Sequence, residues 1–157
     1  MYRSVLVAVD GRNQPLEIAK AGIRLAESFT ARLHVIFIID SKLGHSPRWM
    51  NKYEQKGNDI IDRINKSANG NSVPVETALK RGRFVNAVLD YIEKRPIDLI
   101  VIGSQEQMPI QRWFTRTIPE KLTRNSRASV LIVGSGDDEL TQNDTRSIDF
   151  DNSTDAS

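Results

Sequence analysis

The sequence predicts an α/β fold: an open, five-stranded parallel sheet with helices on both faces. Five short apolar runs alternate with polar stretches of helical period, the ordering that right-handed βαβ crossovers produce. Two runs, Val5 to Val9 and Leu33 to Ile39, are almost wholly apolar, as strands buried on both faces must be. A third, Leu99 to Gly103, is an apolar run closed by a glycine. The chain has 157 residues, which suits one domain with a real core and would cramp two.

Taken in order, the first strand, Val5 to Val9, ends at Asp10-Gly11. A helix follows from about Pro15 to Phe29, with Pro in its first turn and Leu16, Ala19, Ile23 and Ala26 on one face. After the second strand, Leu33 to Ile39, a polar loop around Gly44 to Pro47 leads to a helix from about Trp49 to Ala68. Tyr53, Ile60, Ile61 and Ile64 form its apolar side. Asn69-Gly70-Asn71 stops it, because Gly and Asn accept the left-handed backbone of a helix end. The third strand, Val73 to Leu79, alternates more and carries Pro74 near its start, which places it at an edge.

Lys80-Arg81-Gly82-Arg83 turns the chain into a helix from about Phe84 to Lys94 that presents Val85, Val88, Leu89 and Ile92, and Pro96 ends it. The fourth strand, Leu99 to Gly103, is followed by a loop from Ser104 to Thr115, a helix near Ile118 to Asn125 and a fifth strand, Val130 to Val133. Beyond Gly134 the composition turns to Ser, Thr, Asn and Asp, too polar to repay its ordering entropy. Residues 1–134 therefore read as the domain and 135–157 as an acidic, disordered tail.

Composition excludes several chemistries. There is no cysteine, so there is no disulfide framework, thiolate metal site or cysteine nucleophile. Two histidines, His34 in a strand and His45 in a loop, are scant material for a metal site or a Ser-His-Asp triad, and Asp59 with Asp62 reads as a solvated helix face. No apolar run reaches eighteen residues and the chain enters a strand at once, so a cytoplasmic location is expected. The net charge of +2 hides an asymmetry. Residues 134–157 carry seven acidic residues and one basic residue, Arg146, a charge of −6 that leaves +8 on residues 1–133. Such a body favours anionic partners or is a solvated basic surface.

In an open parallel sheet, ligands bind beyond the carboxyl ends of the strands where strand order reverses. Asp10-Gly11 and Gly103-Ser104 are the groups expected there. A carboxylate at the end of the first strand suits a ribose, and a glycine at the end of the fourth lets a ligand approach the backbone. The competing reading makes Asp10-Gly11 a turn, with Asp bonding its own backbone and Gly at positive φ.

VLVAVDG near the start, Gly82, DLIVIGS at 98–104 and ASVLIV at 128–133 occur in an order that resembles the universal stress protein family over about residues 2–134. The resemblance implies a Rossmann-like sheet of order 3-2-1-4-5, a homodimer formed through the fifth strands (Val130, Leu131, Ile132, Val133) and a cytoplasmic stress-response role. It also implies a site for ATP or AMP at Ala8, Asp10, Ile39, Gly103, Arg116 and Thr117. ATP-binding members are similar to one another in a glycine pattern after the fourth strand. Laid on this chain without a gap, that pattern falls on Gly103, Glu106, Arg116 and Thr117. Two glycines are replaced, Glu106 adds a like charge, and Pro109 lacks an N–H, all of which disfavour a triphosphate.

Thr117, at a helix N-terminus, together with Arg112 and Arg116 keeps an anion site open. The spacing Thr117-Ile118-Pro119-Glu120 favours a helix cap instead. Trp113-Phe114 either anchors its loop or fills space that nucleotide phosphates would occupy. The leading expectation is a non-enzymatic binding or regulatory protein without a metal and with weak or absent ATP binding. The alternative is an ATP- or AMP-binding switch with slow ATPase activity. A small anionic ligand is preferred as partner over nucleic acid or a membrane.

Overall fold

The computed structural model describes residues 1–12, 14–40, 46–104 and 117–134. Their elements run β1 (Ser4–Val9), α1 (Pro15–Phe29), β2 (Arg32–Ile39), α2 (Pro47–Gly70), β3 (Val75–Arg81), α3 (Phe84–Glu93), β4 (Leu99–Gly103), α4 (Ile118–Asn125) and β5 (Ser129–Val133). The five strands form one parallel sheet of order β3-β2-β1-β4-β5. The expected architecture is therefore the observed one, with β1 central and β3 at an edge. The tail, His45 and the loop residues Glu106, Pro109, Arg112, Trp113, Phe114 and Arg116 lie outside the described residues.

Strand alternation divides the core into two layers. Val5, Val7 and Val9 of β1, with Leu33, Val35 and Phe37 of β2, pack beneath α1 and α2. Leu6 and Ala8, with Ile36, Ile38, Ile100 and Ile102, face α3 and α4. Continuous apolar strands are what a sheet covered on both faces requires.

Boundaries moved where turns intervened. β3 starts at Val75 rather than Val73, because the Val73 N–H is spent on the Ala68 carbonyl (2.9 Å) at the end of α2 and Pro74 has no N–H to give. Pairing then continues to Arg81, opposite Ile39. Pro47 opens α2 two residues before Trp49, as a ring-fixed φ at a first helical position permits. Gly70 stays helical and Asn71 sits at φ −98°; the left-handed residue after α2 is Ser72, at φ 56°.

Gly22, in the middle of α1, is a packing requirement. A Cβ there would stand 2.1 Å from Val7 Cγ2, so the missing side chain is what lets the helix lie against the central strand.

On the other face, a polar cluster fastens β2 and β3 to α3. His34 is buried in β2, opposite Glu76 of β3. Its Nδ1 shares a hydrogen bond with the Tyr91 hydroxyl of α3 at 2.9 Å. Arg95 donates to Glu76 Oε1 through Nη2 (2.9 Å) and Nε (3.3 Å), and its guanidinium covers the Tyr91 ring at 4.2 Å. Burial pushes the His34 pKa down against the opposing pull of Glu76, 3.7 Å away, with Arg95 and Arg32 adding to the depression. The hydrogen bond from Arg95 holds the Glu76 carboxyl below its usual range.

Two predictions follow from the packing and the cluster. Gly22→Ala should destabilise the fold by about 1–3 kcal/mol in urea unfolding despite alanine's better helix propensity, because β-branched Val7 cannot rotate away. Adding Val7→Ala should recover part of the loss. For the cluster, the unfolded chain takes up a proton at His34 near pH 6.5 that the folded chain refuses until lower pH. Stability is thus complete above pH 6.5 and falls as pH drops from there towards the depressed folded pKa. Glu76 adds a further loss of the same sign below pH 4.5. Urea midpoints from pH 8 to pH 5 should decline below about pH 6.5, and His34→Phe should flatten that decline.

Candidate functional site

β1 has β2 on one side and β4 on the other. The chain leaves β1 through α1 over one face and enters β4 from α3 on the opposite face. The crevice beyond the carboxyl ends of β1 and β4 is therefore the place where order reverses. Ala8 and Asp10 reach it from β1, Ile39 from β2 and Gly103 from β4. Ala8 and Ile39 are 1% and 2% exposed as whole residues and belong to the two core layers, so neither presents a side chain to a ligand. The Ile39 carbonyl already accepts the Gly82 N–H at 3.1 Å.

Asp10 is tied into the turn. Its Oδ1 accepts the Arg12 backbone N–H (2.9 Å), and its Oδ2 faces Arg12 Nη2 (3.3 Å). The same guanidinium nitrogen reaches Asp40 Oδ2 at 3.5 Å, so the carboxylates that close β1 and β2 share one arginine. The turn reading of Asp10 is thus correct in its hydrogen bond and mistaken about its glycine. Among the described residues the glycine at positive φ is Gly82 (133°), where the chain turns into α3, whereas Gly11 lies outside that region. A Cβ at Gly11 would meet Lys56 Nζ at an ordinary 3.6 Å. That amine donates to the Gly11 carbonyl at 3.3 Å, so α2 overhangs the end of β1.

At the far side of the crevice, Gly103 is paired with Val133, and the Ser104 N–H donates to the Val133 carbonyl at 2.8 Å. Sheet pairing therefore consumes the first backbone donor after Gly103. Thr117 caps α4: its Oγ1 accepts the Glu120 N–H at 3.4 Å, while the Glu120 carboxylate meets Arg124 at 3.2 Å. The reciprocal half of the expected box is thus replaced by an ion pair one turn along the helix. Arg116 lies outside the described residues.

At the amino ends of the strands the roles are structural. The Asp98 carboxylate, which opens DLIVIGS, accepts the Arg3 and Ser4 N–H groups at 2.8 and 3.0 Å and so pins β1 beside β4. A cavity of about 720 Å³ also lies towards this end. It opens between the carboxyl ends of α3 and α4, with Leu89, Ile92, Arg95, Arg124 and Arg127 among its walls. Its position is away from Asp10 and Gly103. Among the described residues no group of His, Cys, Asp or Glu is arranged to hold a metal ion, and no helix is long and apolar enough to cross a membrane.

A sequence model of the universal stress protein family matches residues 1–134, the span that carries the whole sheet. The chain belongs to that family. It is 25% identical over 140 residues to universal stress protein MJ0531 of Methanocaldococcus jannaschii, covering 85% of this chain and 82% of that one. To universal stress protein YxiE of Bacillus subtilis it is 23% identical over 147 residues, covering 85% and 99%. Among solved structures, the universal stress protein UspA of Lactobacillus plantarum superposes with a TM-score of 0.70 at 18% identity, over 84% of this chain and 97% of that one. A universal stress protein in complex with cAMP superposes at 0.66 and 23% identity, over 84% and 97%. These superpositions show the fold.

Within this universal stress protein fold, Arg12, Asp40 and Lys56 are site residues that sequence reasoning missed. Asp40 was within reach, since it ends β2 as Asp10 ends β1 and neighbouring parallel strands end side by side. Lys56 was not, because its place over Gly11 depends on how α2 packs. The strand assigned to dimer formation forms the other edge of the sheet: β5 is hydrogen-bonded to β4, with Leu131 39% and Ile132 49% exposed and Val130 and Val133 half-buried.

Proposed function

We propose that this universal stress protein is a non-enzymatic binding or regulatory protein whose crevice beside Asp10, Ile39 and Gly103 holds adenine nucleotides weakly, without a glycine grip on a triphosphate. The observation that carries the reading is the Ser104 N–H, the first backbone donor after Gly103, which is spent on the Val133 carbonyl at 2.8 Å and so is turned away from a phosphate. The replacement of two family glycines by Glu106 and Arg116 agrees with it. Arg12 and Lys56 are described cations beside the crevice: Arg12 is shared between two carboxylates, and Lys56 gives one of its three N–H donors to a carbonyl. A structural neighbour is in complex with cAMP, which supports an adenine nucleotide as the class of ligand.

A cytoplasmic stress-response role goes with the family reading, as does a homodimer. In the dimer, the open edge of β5 pairs with the same edge of a second copy, burying Leu131 and Ile132 around a two-fold axis. The second functional reading, an ATP- or AMP-binding switch with slow ATPase activity, rests on the cations at the crevice mouth. Nucleotide recovered with the purified protein would favour it.

Calorimetric titration with Mg-ATP is expected to give no saturable micromolar binding; such binding would overturn the reading. Restoring both glycines with Glu106→Gly and Arg116→Gly should tighten ATP at least tenfold, about 1.4 kcal/mol, and leave adenosine binding unchanged. For the dimer, Leu131→Asp or Ile132→Asp should convert the protein to monomers in size-exclusion chromatography with light scattering. A dimer that survives both changes would rule out pairing through β5.

A further inference from the structure

The first three turns of α2 carry an arrangement that the crevice does not use. Arg48, Lys52 and Lys56 follow one another at intervals of four, so they form one stripe with a rise of about 6 Å per step. Trp49 and Tyr53 form a second stripe beside it. Trp49 is 53% exposed, a large apolar side chain left in water. Its ring centroid lies 6.4 Å from that of Tyr53, with the planes tilted by 31°, and Lys52 Nζ stands 5.5 Å from the Trp49 ring. The first turn has no acidic residue, and Glu54 is occupied by Arg81. The stripe ends at Lys56, whose amine reaches the Gly11 carbonyl at the mouth of the crevice.

We propose that this face of α2 binds single-stranded nucleic acid, with a base stacked on Trp49 and phosphates drawn to Arg48, Lys52 and Lys56. Open aromatic rings beside cations are the means by which proteins hold single strands without reading sequence. The +8 charge on residues 1–133 supplies the long-range attraction. A duplex keeps its bases stacked and offers Trp49 no face, so stacking selects single strands over duplexes. The expected preference for a small anion over nucleic acid, formed on the linear sequence, is revised by the side-by-side placement of the two stripes. This proposal goes beyond the mononucleotide reading and stands without it.

The test uses the full chain carrying Trp113→Phe, which leaves Trp49 as the single tryptophan. Titration with an oligothymidylate should quench Trp49 fluorescence, and the logarithm of affinity should fall against that of salt with a slope near −2, as three phosphate contacts on a single strand imply. Trp49→Ala should weaken binding at least tenfold, followed by a labelled oligonucleotide, with the salt slope unchanged, and Trp49→Phe should restore most of the affinity. Arg48→Gln with Lys52→Gln should flatten the slope by about 1.4. Circular dichroism of each variant should match the parent, since all three positions are exposed. An unquenched Trp49, undiminished binding by Trp49→Ala, equal affinity for duplex, or quenching by phosphatidylserine vesicles alone would each overturn the proposal. Failure of Mg-ATP or AMP to bind would leave these readouts unaffected.

Discussion

Burial of β1 on both faces is the constraint from which the rest of the molecule follows. A strand with Val5, Val7 and Val9 under one helical layer and Leu6 and Ala8 under the other cannot sit at an edge, so β2 and β4 must flank it. All three run parallel, and their carboxyl ends therefore come together at one end of the sheet. Crossovers on opposite faces then open a crevice between the first and fourth strands. Asp98 secures the other end by accepting two N–H groups from the start of β1. The closeness of α1 depends on Gly22, where a methyl group has no room.

The two faces of the sheet are fastened differently. The α1 and α2 side is packed mainly by aliphatic side chains, with Lys20 of α1 also buried. The α3 side includes the His34, Tyr91, Glu76 and Arg95 cluster, in which every named polar atom has a partner. A buried imidazole is tolerated there because Tyr91 supplies its hydrogen bond. The cost falls in acid, when the ring must take up a proton against burial. Since α3 follows directly from Gly82, whose N–H holds the Ile39 carbonyl, this docking also fixes one wall of the crevice.

The crevice itself is a place where backbone and charge are already committed. Asp10 and Asp40 hold Arg12, Lys56 holds Gly11, Ser104 holds Val133, and Thr117 holds its own helix. These contacts fix the ends of β1, β2, β4 and α4 around the crevice. Outside the crevice, Lys52 stands over the ring of the exposed Trp49, and Arg48 is exposed one turn before Lys52 on the same helix. The surface of α2 is thus a more open source of positive charge than the mouth beside it.

Sequence alone determined the parallel α/β class, the central place of Val5 to Val9, the edge position of β3 and the cap at Thr117, because each depends on local pattern: continuous apolar runs, alternation and capping spacing. The ordered motifs brought the family and the strand order with them. Tertiary structure decided what depends on residues far apart in the chain. It joined Arg12 to both Asp10 and Asp40, set Lys56 of α2 over Gly11, buried His34 against Tyr91, and made Gly22 a point of contact. It also moved the positive φ from Gly11 to Gly82 and delayed β3 to Val75, since turns are closed by hydrogen bonds to partners, such as Ala68 for Val73, that residue type does not specify. Periodicity shows which side of an element is apolar, but only the packing of elements fixes which polar groups meet at its ends.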